Sequence, residues 1–198
     1  MRSSRSQQSE QSEQSVQSQQ EQHTQGAAHD AVGYATAGVA LSATAGLIHL
    51  WVAPEHFHEA WLVGTFFMLA GAGQLAFAVV LARGLGTSGL LAGVAANTGL
   101  VCLYVLSRTV ALPLLPAHDE GHVEHLPVAG AAGNGVPVFP RSTIEPVGIL
   151  DMTCLLAELA LIVMLVGILP RTPRRLTTSA LMGLGLAALA ARAVGLLG

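Results

Sequence analysis

The chain has 198 residues, of which 52% are hydrophobic and 11% are charged, and its formal net charge is −3. A water-soluble domain has about a quarter charged residues, and the charges here leave long uncharged runs between them, so the composition excludes an ordinary soluble domain. All the basic residues are arginine, and they are too scattered for a surface that binds nucleic acid. The composition therefore indicates an integral membrane protein in contact with a lipid bilayer.

The chain begins with a tail, residues 1–30, that is rich in Ser, Gln and Glu and has almost no apolar side chain. A segment of this kind buries too little apolar surface to offset the entropy lost on ordering, so we expect a disordered cytoplasmic tail. It has no short apolar core followed by a cleavage site, and it is therefore not a signal peptide. The remaining residues, 31–198, form the membrane domain.

Five apolar runs in the membrane domain are long enough to cross a bilayer. They predict an all-α fold, a polytopic bundle of five transmembrane helices, at residues 31–53, 60–82, 88–107, 147–169 and 176–197. Pro54 follows the first run, where we expect it to end the helix. A long Pro/Gly-rich outer loop at about 108–146 separates the third and fourth helices. Small residues at every fourth position favour close packing of the fifth helix: Ser179, Gly183, Ala187, Ala191 and Gly195.

The arginines predict the orientation of this bundle. Those in the tail and in the turns after the second and fourth helices share one side: Arg2, Arg5, Arg83, Arg171, Arg174 and Arg175. The positive-inside rule then places the N-terminus in the cytoplasm and the C-terminus outside. Trp51 and Trp61 flank the first outer turn, where an aromatic belt is expected.

Several polar residues lie within the predicted spans, where a charge costs roughly 2.5–3.5 kcal/mol on insertion. Asp151 and Glu158 are seven residues apart on the fourth helix and share a face. We expect Asp151 to pair with Arg192 near the outer surface, and Glu158, which has no arginine at its depth, to be uncharged. Gln74 or Asn97 is the expected hydrogen-bond partner of Glu158. These groups either hold the helices together or form a polar path or proton site.

Six of the eight histidines fall on the predicted outer side, together with several carboxylates. Imidazole combined with carboxylate suits copper, zinc or iron. The preferred candidate ligands are held by two helix ends: His49, His56 and His58, with Glu55 or Glu59 as the oxygen ligand. Weaker candidates lie in the long loop: His118, His122 and His125. The alternative for all of these histidines is a solvated or hydrogen-bonding role.

The local conformation decides whether His56 and His58 face one ion. In an extended or turn conformation both rings face one side, whereas in a helix they point about 200° apart. Cys102 and Cys154 lie inside apolar runs without CxxC spacing. We therefore expect both cysteines to be small hydrophobic groups and not the two halves of a disulfide.

Three segments resemble a group of small multi-pass membrane proteins of high-GC Gram-positive bacteria: HLWVAPEHFHEAWLVGTFFMLAGAGQ, SRTVALPLLP and EPVGILDMTCLLAE. The resemblance covers most of the spanning part and implies a bacterial plasma-membrane protein, but it brings no activity. The polar positions that it marks are His49, His56, Glu59, Gln74, Arg108, Glu145 and Asp151.

The leading functional hypothesis is an outward-facing site that binds a divalent transition metal for handling, sensing or delivery to another membrane or extracytoplasmic protein. A supporting polar layer is expected from Arg108, Glu145, Asp151 and Arg192. The alternative is a non-catalytic membrane subunit whose polar layer serves helix packing or partner docking. A small proton-coupled transporter that uses Glu158 is a third hypothesis. An enzyme is the least favoured class, because no nucleophile–base pair or catalytic motif is present.

Overall fold

The computed structural model describes residues 32–58, 60–109 and 148–194, with the side chains of residues 108 and 109 excepted. These residues form five helices that are long and apolar enough to cross a membrane, and they include no strand. The helices are α1 (Val32–His58), α2 (Trp61–Ala82), α3 (Thr87–Thr109), α4 (Ile149–Ile168) and α5 (Arg171–Ala193). The predicted all-α bundle of five helices is confirmed, and the orientation of its termini stays a prediction.

Several predicted features lie outside the described residues. They are the tail at 1–30, the loop from residue 110 to 146, and the candidate site residues Glu59, His118, His122, His125 and Glu145.

Two helix boundaries differ from the prediction, and both involve proline. α1 continues through Pro54 to His58, so the prediction that Pro54 ends this helix is wrong. Proline lacks one backbone N–H, but in apolar surroundings the residues before and after it keep their helical hydrogen bonds. A spanning helix therefore tolerates proline. α5 begins at Arg171, and Pro173 lies in its first turn, where backbone N–H groups have no partner within the helix.

Helices α1 and α4 pack antiparallel along most of their length. Gly38 of α1 lies against Leu161 of α4, whereas Ala45, further along α1, packs with Ala157, which comes earlier in α4. α3 also packs against α4. A larger apolar cluster fills the space between α2, α3 and α4: Leu81, Leu90, Val94, Leu161, Ile162, Leu165 and Leu169.

Helices α1 and α2 approach each other closely at a pair of glycines. A Cβ added at Gly71 would lie 2.8 Å from the backbone oxygen of Gly46, and one added at Gly46 would lie 3.0 Å from the backbone oxygen of Gly71. Only glycine allows two helix backbones to come this close. His49 and Gln74 each follow one of these glycines by three residues, so the close approach brings the two polar side chains together.

Helix α5 lies at the periphery of the bundle. None of its residues is buried, and a Cβ added at Gly183 would meet nothing within 4 Å. The predicted close packing along its small residues is therefore wrong for the described part of the chain, and its Ala/Gly-rich composition explains the spacing. Arg174 holds the start of α5 to the end of α4 by donating to the carbonyl oxygens of Leu169 and Gly167.

The bundle has two ends, which we name by their side chains. The histidine face carries the end of α1, the start of α2 and the start of α4. The arginine face carries the turn at residues 83–86 and the turn at Leu169–Pro170. The Trp51 and Trp61 side chains are exposed near the histidine face, 61% and 72% respectively, as expected of an aromatic belt.

Candidate functional site

Gln74 is the centre of a buried hydrogen-bond network that joins four helices. Its amide nitrogen Nε2 donates to Glu158 Oε1 at 3.0 Å and to Asn97 Oδ1 at 3.3 Å. Its side-chain oxygen Oε1 lies 2.9 Å from His49 Nδ1, and its backbone oxygen accepts from Ser42 Oγ at 2.8 Å. All five residues are buried. The expectation that Gln74 or Asn97 contacts Glu158 is confirmed, with Gln74 as the direct partner.

The network assigns the tautomer of His49. Because Gln74 Nε2 donates to two oxygens, the atom facing His49 is the amide oxygen, which only accepts. His49 Nδ1 therefore carries the proton and donates it. Asn97 is fixed in the same way, since its Nδ2 donates to the carbonyl oxygen of Gly93 at 2.8 Å. The second ring nitrogen of His49, Nε2, is then unprotonated and can accept a hydrogen bond or bind a metal ion.

Nε2 of His49 faces a thiol and a carboxyl group of α4. It lies 3.6 Å from Cys154 Sγ and 3.8 Å from Glu158 Oε1. The ligand atoms of His49, Cys154 and Glu158 all lie within 4.8 Å of one another, which makes these residues the one potential metal-binding group among the described residues. Their exposed fractions are 8%, 8% and 3%, so the group is closed off from the surface.

These separations are close to those around a tetrahedral metal ion. For a Zn–S bond of about 2.3 Å and a Zn–N bond of about 2.0–2.1 Å, the tetrahedral angle gives a sulfur–nitrogen separation of about 3.6 Å, and the structure has 3.6 Å. The corresponding nitrogen–oxygen separation is about 3.4 Å, against 3.8 Å between His49 and Glu158. The two separations that involve His49 Nε2 therefore lie within a few tenths of an ångström of those around a tetrahedral zinc ion.

The group lies near the middle of α4, a helix long and apolar enough to cross a membrane. His49 is nine residues from the end of α1 and Glu158 is nine residues from the start of α4, so each is about 13 Å from the histidine face. This depth is near the middle of a hydrocarbon layer of about 30 Å. The bundle thus combines nitrogen, sulfur and oxygen donors where unpaired polar groups are costly.

The structure places His56 and His58, the other preferred histidine candidates, apart from this group. α1 is helical at His56 and His58, so their side chains point about 200° apart and do not converge on one ion. The His56 ring stacks on Phe67, with ring centroids 4.2 Å apart. Glu55 and His58 are exposed at the histidine face. Of the preferred candidates, His49 alone lies in the buried group.

The residues predicted to support the site lie nearer the bundle ends. Asp151 is in the first turn of α4, where its Oδ2 lies 3.4 Å from the backbone nitrogen of Gly148. Arg192 is in the last turn of α5, and Arg108 is near the end of α3. The Asp151–Arg192 ion pair stays a prediction.

Cys154 is the member of the candidate group that the sequence interpretation missed. It was expected to act as a small hydrophobic group, and it does pack with Ala45 and Ala157. The signal was its position four residues before Glu158, which places both side chains on one face of α4. The rotation of that face toward His49 depends on the packing of α1 and α4, and the sequence of α4 alone does not specify it.

Comparison with known proteins assigns the chain to no family. No protein-family model, curated protein or solved structure matches the chain.

Proposed function

We propose that this multi-pass membrane protein binds a divalent transition metal, with zinc as the best fit, at His49, Cys154 and Glu158. The observation that carries the proposal is the convergence of three different donor atoms within 4.8 Å in a buried site. Zinc accepts imidazole nitrogen, thiolate sulfur and carboxylate oxygen, and copper shares the preference for nitrogen and sulfur.

The network behind His49 supports this proposal. Histidines that bind metals usually donate their other ring N–H to an oxygen, which fixes the tautomer and the ring orientation. In this protein Gln74 Oε1 accepts from His49 Nδ1 at 2.9 Å. His49 Nε2 is thereby held toward the thiol and the carboxyl group.

The charge of the donor set favours a divalent ion. A neutral imidazole, a thiolate and a carboxylate together carry two negative charges, which a divalent cation neutralises. A neutral complex avoids the large cost of placing net charge in a low-dielectric interior. A monovalent cation bound to the same donors would leave one negative charge uncompensated at the same depth.

Three protein ligands suit an ion that is exchanged. Structural zinc sites are closed by four protein ligands, whereas sites that act on a substrate keep one coordination position open. Among the described residues, His49, Cys154 and Glu158 supply three ligands, and Gln74 Oε1 is already engaged by His49. This number supports metal handling or delivery over metal-stabilised folding.

The test is the metal content of the protein, purified in detergent without a histidine tag and equilibrated with zinc. Mass spectrometry is expected to find about one zinc per chain. Cys154→Ser is expected to lose the zinc, whereas Cys102→Ser, the matched control on α3, is expected to keep it. A wild-type chain without zinc, or equal zinc in the two variants, would contradict the proposal.

The second candidate is a structural subunit whose polar layer holds the helices together. It is favoured by the hydrogen bonds of Gln74 and Asn97, which tie α1, α2, α3 and α4 without an ion. Under this alternative the chain takes up no zinc, and Cys154→Ser and Cys102→Ser behave alike. The same experiment therefore separates the two functions.

A further inference from the structure

An aromatic side chain of α2 contacts His49 on the side of the buried donors that faces the histidine face. Phe67 of α2 contacts both His49 and His56 of α1. Its ring centroid lies 5.5 Å from that of His49 at an interplanar angle of 58°, and it stacks on His56 at 4.2 Å and 12°. His49 and His56 are seven residues apart, so they share a face of α1 and lie about 10 Å apart along its axis. Phe67 therefore bridges the two histidines.

Polar groups lie on the far side of this ring. α1 and α4 are antiparallel, and His49 contacts Glu158. His56 lies seven residues beyond His49 toward the histidine face, and Asp151 lies seven residues before Glu158 toward the same face. His56 and Asp151 therefore lie at one level, about 10 Å above the buried donors. An imidazole and a carboxylate at this level suit a transient contact with a divalent cation.

The opposite direction has an apolar barrier. The members of the large apolar cluster all lie on the arginine side of the donors along their helices: Leu81, Leu90, Val94, Leu161, Ile162, Leu165 and Leu169. The arginine face also carries four arginines and, among the described residues, no carboxylate, so it repels cations: Arg83, Arg171, Arg174 and Arg175. At the histidine face, Arg108 and Arg192 are accompanied by the carboxylates of Glu55 and Asp151. Among the described residues, the large apolar cluster and the four arginines therefore lie on the arginine side of the donors and not on the side of Phe67.

We propose that Phe67 is the gate through which the metal ion passes between the histidine face and the site formed by His49, Cys154 and Glu158. The gate is closed when the Phe67 ring stacks on His56, and it opens when the ring rotates away from both histidines. The inference rests on the proposed metal function. It adds the direction from which the ion enters and the side chain that controls the rate of exchange.

The test measures access to Cys154 without using a metal. In a Cys102→Ser background, Cys154 is the single thiol, and its rate of modification by methyl methanethiosulfonate is measured in the detergent-purified protein. Phe67→Ala is expected to raise this rate by about tenfold, the order that one aromatic contact supplies. Phe66→Ala is the matched control, because Phe66 contacts Phe67 edge-on at 5.7 Å and its contacts with aromatic rings include neither histidine.

A second measurement links the gate to the metal. Phe67→Ala is expected to raise the association and dissociation rates of zinc by the same factor, so the Kd changes by less than about twofold, since a gate alters the barrier and not the bound state. Phe67→Leu keeps an apolar side chain of similar bulk without a flat ring. It serves as a second variant in case Phe67→Ala does not fold. Its zinc exchange rates are expected to lie between those of the wild type and Phe67→Ala.

The outcomes separate the two proposals. Equal thiol modification in the Phe67→Ala and Phe66→Ala variants would overturn the gate, even in a protein that binds zinc. Equal zinc exchange rates in these variants would overturn it as well. A wild-type chain that binds no zinc would instead overturn the metal function and with it the assigned cargo of the gate, whatever the thiol modification shows.

Discussion

Replacing Gly71 by alanine is expected to force α1 and α2 apart and to disturb the donor group. The added Cβ would lie 2.8 Å from the backbone oxygen of Gly46 and 2.8 Å from Leu50 Cγ. Non-bonded carbon atoms prefer separations of about 3.5 Å or more, so the helices must separate by roughly 0.7 Å. The same displacement stretches the His49–Gln74 hydrogen bond, now 2.9 Å, to about 3.6 Å, beyond the length of a hydrogen bond.

The expected loss of stability follows from these two effects. Overpacking of this kind costs about 1–3 kcal/mol, and a hydrogen bond between membrane helices contributes about 0.6 kcal/mol. We therefore expect Gly71→Ala to lower the free energy of unfolding by about 2 kcal/mol. The measurement is unfolding of the detergent-solubilised protein, followed by the fluorescence of Trp51 and Trp61.

Gly73→Ala is the matched control for this prediction. Gly73 lies two residues further along α2, and a Cβ added there would meet nothing within 4 Å. Both substitutions gain the same helix propensity, about 1 kcal/mol, so the difference between the variants isolates the contact with Gly46. A Gly71→Ala protein as stable as Gly73→Ala would refute the close approach of α1 and α2.

Three further predictions concern the network and the topology. Gln74→Leu removes hydrogen bonds to His49, Asn97 and Glu158, and it is expected to lower the free energy of unfolding by about 2 kcal/mol, at about 0.6 kcal/mol for each bond. Chemical denaturation measures this, and unchanged stability would contradict the network. Glu158→Gln keeps an oxygen that accepts from Gln74, so we expect this variant to elute as wild type in size-exclusion chromatography. Its affinity for zinc is expected to fall at least about tenfold. A wild-type affinity for zinc would show that Glu158 is not a ligand. Cysteine labelling of the two termini is expected to place them on opposite sides of the membrane, and labelling on one side would require an even number of spanning helices.

The number and type of the helices followed from the sequence because an apolar run of about 20 residues has few alternatives. The boundary at Pro54 did not follow. Proline breaks helices in water, but in a bilayer the surrounding residues keep their helical hydrogen bonds because water is absent. The packing of the fifth helix was also predicted wrongly. Its Ala/Gly spacing resembled a helix-packing motif, but α5 buries no residue.

The candidate site was predictable in part. A mid-membrane carboxyl group needs a polar partner, and this requirement indicated the contact of Glu158 with Gln74 or Asn97. His49 was chosen for its position near a helix end, but its partners were expected among His56 and His58. The continuation of α1 turned those residues apart, and the packing of α1 on α4 supplied Cys154 instead. Helix rotation of this kind depends on contacts distant in sequence.

The most direct measurement is zinc K-edge X-ray absorption of the zinc-loaded wild-type protein beside the Cys154→Ser variant. We expect one sulfur at about 2.3 Å and nitrogen or oxygen ligands at about 2.0–2.2 Å in the wild type. The sulfur contribution is expected to disappear in the variant. A wild-type spectrum with nitrogen and oxygen ligands alone would contradict the site formed by His49, Cys154 and Glu158, as would one with two sulfur ligands.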